Sequence, residues 1–309
     1  MFANGKACDL FEAVTDDIAS AAHAEKPNGV TAKMLEKVWG IDTESAKRTL
    51  NATTQLNRQD GANGNLPRNF GTNDRMLRCK RIKSFFFTDT FFATKKAKSL
   101  RGYTCMQLFV SDKGFLFVVP MESVREFPSA LKMFAKEVGV PSYLIADPHK
   151  VHKSNAVKQF CHEIGTTLRL LEESTQWANR AELYIGLLKE SVRNDMRETH
   201  SPLVFLDYCA ERCALITNLT VKDLFQLQGQ NPYTATFGEE GDISNVCQFG
   251  WYEWIYFRDR SQSFPYNTKC LGRCLGPAKN EGNEMAQWVL KQNGHVIPRR
   301  TCRRLTADG

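Results

Sequence analysis

Residues 82–92 read IKSFFFTDTFF and residues 104–121 read TCMQLFVSDKGFLFVVPM; between them these stretches decide the fold. Ile82 to Phe92 is dominated by Phe and predicts a strand. Thr104 to Val110 predicts a second, Ser111-Asp-Lys-Gly114 a turn, and Phe115 to Val119 a returning third. Outward from there the period changes. Ser123 to Val138 is helical, with Val124, Phe127, Leu131 and Phe134 on one face, and Gly139 ends it. Tyr143 to Ala146 is a short buried strand. Ser154 to Ile164 is a helix with Val157, Phe160, Cys161 and Ile164 inward, stopped by Gly165, and Thr167 to Leu171 is a fifth strand. A long helix starts at about Asn179. Three antiparallel strands followed by alternating helix and strand predict an α/β fold: a mixed sheet with helices on both faces.

The flanks are less regular. Near the N-terminus Leu35, Val38 and Trp39 share a helical face, Gly40 breaks the helix, and Asp42 or Thr43 can cap a second helix whose inward face is Ala46, Thr49 and Leu50. Helix, glycine turn and capped helix make a helix-turn-helix-like pattern over residues 1–58, with Lys47 and Arg48 pointing outward to DNA, or an ordinary helical hairpin. Gln59 to Asn73 is rich in Gly, Asn and Asp and reads as a linker over 59–74. Composition shifts again at Gln228 to Gly241, which separates residues 75–226 from 227–309. Trp251 to Phe257, apolar on both faces, reads as a strand covered on both sides, with Cys270–Leu275 and Ala286–Leu290 as partners and Gly276-Pro277 and Gly282-Asn283 marking the turn between them.

The 309 residues carry 41 Lys+Arg against 34 Asp+Glu, a net charge of +7. The positive charge is clumped at Arg75–Lys83, at Lys95–Arg101 and at Arg299, Arg300, Arg303 and Arg304, which favours a polyanion partner. With 42% hydrophobic and 24% charged residues, wholesale disorder and fibrous classes are excluded. The longest apolar run, Phe115 to Met121, is far short of the about 20 residues of a membrane span, so no membrane partner is expected. The opening MFANGKACDLF has no secretory h-region. Ten cysteines lie without a CxxC pair; Cys209/Cys213 and Cys270/Cys274, four apart, read as reduced thiols and not as a zinc signature.

Three carboxylates stand out. Asp89 interrupts an apolar strand, where an unpaired charge costs several kcal/mol. Asp147 ends YLIAD, at the kind of strand end where open α/β sheets present ligands. Glu182 lies near the start of the long helix, on a stripe with Gly186, Lys189, Arg193 and Met196, while Leu183, Tyr184, Leu187 and Leu188 should face the core. Each acid alone has an ordinary reading as a cap or an ion-pair member. Together they suit hard divalent cations, and a metal pair can clamp both oxygens of a phosphoryl displacement.

With FFFTDT at Asp89, YLIAD at Asp147, TQWANRAELYIGLLK around Glu182 and NPYTATFGEEGDISNVCQFGWYEW further on, the chain resembles the integrases of LTR retrotransposons, most closely the copia type, over about residues 75–305. The resemblance implies an RNase H-like catalytic core at 75–226 and, at 227–309, a connecting segment with a small C-terminal β-barrel and basic tail. It implies that Asp89, Asp147 and Glu182 are catalytic and hold two Mg2+ or Mn2+ ions, and that Lys189 contacts element-end DNA. Arg193 on the same helix stripe, Asn179 at its start, and Arg299 and Arg300 in the basic exit are further candidate DNA contacts. It further implies 3′-end processing and strand transfer on double-stranded DNA, a homo-oligomer, and work in the nucleus. The chain departs from the family at Pro148 and His149, where Asn or Gly is usual, at Gly186, where many members carry a cation, and in having no His-His-Cys-Cys module before Asp89. Two rivals stay open: a catalytically decayed or host-adopted DNA-binding protein that keeps the fold, and a ribonuclease using the same sheet.

Overall fold

Strand β2 (Arg81–Phe92) is the spine of the central sheet in a computed structural model that describes residues 29–56, 80–93, 98–172, 179–259, 268–279, 281 and 285–305. The linker at 59–74, the cations Arg75, Arg78, Lys95 and Lys96, Trp177, and the turn residues Gly282 and Asn283 lie outside the described residues. β2 pairs antiparallel with β3 (Cys105–Ser111), and β3 antiparallel with β4 (Leu116–Met121). On its other side β2 pairs parallel with β5 (Val140–Ala146), and β5 parallel with β6 (Thr167–Leu170). The order is β4-β3-β2-β5-β6, the mixed five-stranded sheet expected.

Side-chain alternation along β2 and β3 divides the core in two. Phe86, Phe109 and Leu144 face one side, where α3 (Phe127–Glu137) supplies Phe127, Leu131 and Phe134, and α4 (Asn155–Ile164) supplies Val157 and Cys161. Phe109 stacks on Phe134 at 4.5 Å. Each of these fully buried rings contributes roughly 2–3 kcal/mol. Phe91, Leu108, Val110 and Val118 face the other side, against α5 (Arg180–Thr199) and α6 (Leu206–Leu219). Gly114, in the turn before β4, has φ +83°, and a Cβ there would stand 2.5 Å from the Tyr184 hydroxyl. Only glycine lets α5 approach so closely.

The N-terminal pattern folds as two helices, α1 (Ala32–Trp39) and α2 (Thr43–Asn51), joined at Gly40 with φ +65°. Asp42 caps α2 by accepting the Ser45 amide at 2.9 Å. The hairpin packs on the far end of the chain. Trp39 Nε1 donates to the Val246 carbonyl, Arg212 donates to the Val38 carbonyl, and β1 (Thr53–Thr54) pairs with β7 (Gly241–Asp242), which follows α7 (Pro232–Phe237).

The C-terminal strands β8 (Trp254–Arg258), β9 (Lys269–Pro277), β10 (Gln287–Lys291), β11 (Val296–Arg299) and β12 (Cys302–Arg304) form an antiparallel sheet ordered β11-β10-β9-β8-β12. Among the described residues its two end strands do not pair with each other, so the ladder is that of a five-stranded sheet. Its core is Phe249, Ile255, Phe257, Cys274, Val289 and Cys302, and it leans on the central domain through Trp251, Leu275 and the Tyr208–Trp288 contact at 5.8 Å. Two sequence expectations are corrected. Trp251 and Tyr252 form a turn and the strand starts at Trp254, because Tyr252 takes φ +55°; Trp254, 43% exposed, leaves one face open. Gly276 and Pro277 lie within β9 and not in a turn. In the basic exit Arg299 and Arg304 lie in strands, 3.8 Å from Asp259 and 3.4 Å from Glu253.

Candidate active site

The parallel ladder of β2 and β5 sets two acids side by side. Thr88 is in register with Ala146, so the next residues outward are Asp89 and Asp147, on strands about 4.8 Å apart. Asp89 alternates with Thr88 and Thr90 and therefore faces α5. Its Oδ1 accepts the Thr90 amide at 2.7 Å. Thr88 and Thr90 turn the other way and lock onto Gln107 at 2.7 and 2.6 Å, a small buried network that fixes the strand beneath the acid.

Asp147 is held on three sides. Its carbonyl accepts the His149 amide at 2.8 Å and lies 2.9 Å from His152 Nδ1, and its Oδ1 accepts Asn179 Nδ2 at 3.0 Å. Asn179 is also the N-cap of α5, accepting the Ala181 amide at 3.1 Å. This one side chain, 3% exposed, joins the second acid to the helix that carries the third. Glu182 lies in the first turn of α5 and is exposed. His152 was not singled out from sequence. Its signal was the His149-x-x-His152 spacing directly after Asp147, and burial lowers the pKa of its imidazole.

Burial pushes the Asp89 carboxyl up to about 6, the carboxylates of Asp147 and Glu182 push the same way, and the Thr90 amide and the Lys189 ammonium oppose them. Three like charges thus act on one another across the strand ends and the helix. Among the described residues no cation forms an ion pair with Asp89. The three carboxylates are more widely spaced than 4.8 Å as a set.

Lys189 and Arg193 follow along the exposed side of α5. Lys189 Nζ sits 5.7 Å from the Phe91 ring, and both cations rim a groove of about 420 Å³ floored by Phe91, Phe92, Met106 and Val192. The expected phase of α5 needs correcting. Its inward residues are Ala181, Tyr184, Ile185, Leu188, Val192 and Met196, while Leu183 and Leu187 are 63% and 47% exposed. A helix of this length offers one face to the sheet, and the Asn179 cap and the Gly114–Tyr184 contact decide which.

Asn179, expected to contact DNA, is instead buried and spent on Asp147 and the Ala181 amide, which corrects that expectation. The other expected DNA contacts lie elsewhere. Lys47 is exposed on α2, but Arg48 is half-buried and bonded to Asp223 at 2.6 Å, which corrects the expectation that it points freely outward. Arg299 is 3.8 Å from Asp259, and Arg300 follows it on the surface between β11 and β12. Arg101, counted in a basic cluster, is consumed by Asp207 and Glu211 at 2.5 and 2.8 Å. No helix among the described residues is long and apolar enough to cross a membrane.

No protein-family model matches the chain, and no curated protein matches it. Solved structures do resemble it. The simian T-cell lymphotropic virus intasome in complex with PP2A regulatory subunit B56 gamma matches with a TM-score of 0.42 and 14% identity, over 90% of this chain and 95% of that one. The HTLV-2 integrase catalytic core domain in complex with magnesium matches with a TM-score of 0.40 in its dimeric form, at 17% identity over 50% of this chain and 97% of that one. Its trimeric form matches with 0.40, at 16% identity over 52% and 99%. At such identities function has to be argued from the residues of the site.

Proposed function

We propose that the chain is a retroelement integrase, a polynucleotidyl transferase acting on double-stranded DNA, with Asp89, Asp147 and Glu182 as its catalytic acids. The observation that carries this reading is the register that sets half-buried Asp89 beside Asp147 at the ends of neighbouring parallel strands, with Asn179 tying Asp147 to the helix that bears Glu182; in that setting the two other carboxylates help push the Asp89 carboxyl up to about 6. Structures tolerate such repulsion where a bound cation relieves it, and three carboxylates are a hard oxygen donor set suited to Mg2+ or Mn2+. Two such ions, when bound by these acids, would supply neutralisation of the charge that develops on the attacking and leaving oxygens.

The remaining work falls to the chain's own groups. Asn179 and His152 hold Asp147 in place. Lys189 and Arg193 would bind phosphates of the DNA end beside the acids, which sets the attacking oxygen in line with the scissile bond. In 3′-end processing that oxygen belongs to water; in strand transfer it is the freed 3′ hydroxyl, which displaces a target phosphodiester. Lys47, Arg300 and Arg303 offer further phosphate contacts away from the acids. The reading carries with it an RNase H-like core, a C-terminal module of barrel type, a homo-oligomer that holds two DNA ends, and a nuclear site of action.

A second reading, a DNA-binding protein without chemistry, is favoured by one observation: Asp147 is already engaged by Asn179 and is followed by Pro148, which restricts its backbone. Incubating purified protein with a labelled element end, a plasmid target and Mg2+ separates the two. Joined product that disappears with chelator and with Asp89→Asn supports the integrase. DNA binding with no product in Mg2+ or Mn2+ overturns it.

A further inference from the structure

We propose that Asp195, Cys209 and Cys213 form a binding site for a thiophilic divalent metal ion, of the zinc class, that staples α5 to α6. Cys209 and Cys213 stand one turn apart on α6 with their sulfurs 4.0 Å from each other, and Cys213 Sγ is 3.5 Å from Asp195 Oδ2 on α5. The three ligand atoms all lie within 4.8 Å of one another. A tetrahedral zinc with Zn–S of about 2.3 Å and Zn–O of about 2.0 Å requires sulfurs about 3.8 Å apart and a sulfur–oxygen distance of about 3.5 Å. The Cys209–Cys213 and Cys213–Asp195 pairs stand close to these values, and the Cys209–Asp195 pair lies within 4.8 Å, a gap that rotation of the Asp195 carboxylate closes. As thiols the same atoms form a hydrogen-bond chain that ends on Asp195, so the geometry is held before any ion arrives.

Charge and access agree with this. Two thiolates and one carboxylate beside the Arg212 guanidinium, 3.1 Å from Asp195, sum to minus two, which one divalent cation cancels. Binding displaces one proton from each thiol, and both leave to solvent. The cysteines are 0% and 4% exposed, whereas the Asp195 side chain is 28% exposed, so the ion enters from the Asp195 side and a solvent ligand completes the tetrahedron there. Soft thiolates select zinc over magnesium, which makes this site chemically independent of the three acids. Its position gives it a role. Asp195 lies on the helix that carries Glu182, Lys189 and Arg193, and Arg212 continues to the carbonyl of Val38, so an ion here would fix α5 against α6 and the N-terminal hairpin.

Titration of the full chain with Co2+ under reducing conditions tests the proposal. The expected result is one equivalent bound with a thiolate-to-cobalt charge-transfer band and tetrahedral d–d intensity. Both should be lost in Cys209→Ala and Cys213→Ala and unchanged in Cys161→Ala, a buried thiol elsewhere. Asp195→Asn keeps both thiols but takes the charge partner from buried Arg212, so its metal-free Tm is measured first; its Co2+ affinity should fall about tenfold or more, and the rise in Tm that Zn2+ gives over the metal-free protein should shrink with it. Absence of the band in the parent, its survival in both cysteine variants, or an unchanged affinity in Asp195→Asn would overturn the proposal.

Discussion

Asp89 shows what a single residue in the wrong solvent does. Its folded-state pKa of about 6 lies above the ordinary 3.8, so the neutral form is the one the fold prefers. Its contribution to stability is full below about pH 4 and is lost as pH rises through about 6. In chelator, Asp89→Asn should therefore stabilise the protein at pH 7.5 by about 1–2 kcal/mol, allowing for partial solvent screening, and by nothing near pH 4. Urea unfolding at the two pH values measures this, and an equal effect at both would contradict it. Asn179 gives a second residue-scale test. Asn179→Ser keeps an N-cap, at a cost of a few tenths of a kcal/mol, but cannot reach Asp147. Strand transfer should fall about tenfold while Tm hardly moves; an unchanged rate would mean that the Asn179–Asp147 bond holds nothing that matters.

At the scale of elements, the strands were the most legible part. Phe-rich β2, the turn at Gly114 and the glycines that stop α3 and α4 carry local signals that tertiary packing did not have to override. Leu183 and Leu187 face solvent because residue type alone does not choose among the apolar positions of a 20-residue helix; the cap and the glycine contact choose. The engagement of Arg48 is hidden from the sequence for a related reason, since its partner Asp223 is 175 residues away. The structure now separates two neighbours on α2. Lys47→Ala should lower the salt slope of DNA binding by roughly one unit, as loss of a phosphate contact does, whereas Arg48→Ala should leave the slope unchanged. Binding measured across a salt series checks this, and equal slopes for both variants and the parent would reduce the hairpin to a packing element.

Across the whole molecule the acids illustrate both what a sequence carries and where it stops. Their types and spacing were readable because each breaks a local rule: a charge in a strand, an acid at a strand end, an acid in a helix's first turn. The frame that positions them was not readable. The Thr88–Ala146 register, the Asn179 bridge and the His152 brace are contacts between segments that spacing cannot reveal. In the C-terminal sheet β9 and β10 were legible, whereas the start of β8, the strands β11 and β12 and the ion pairs of Arg299 and Arg304 were not. The central claim is that the three acids act as one unit on DNA, and strand-transfer rates of Asp89→Asn, Asp147→Asn, Glu182→Gln and the triple variant test it together. Groups that act as a unit are grossly non-additive, so each single change should cost on the order of a thousandfold or more and the triple variant should be no worse. Losses that multiply, or a Glu182→Gln rate equal to the parent's, would contradict the account.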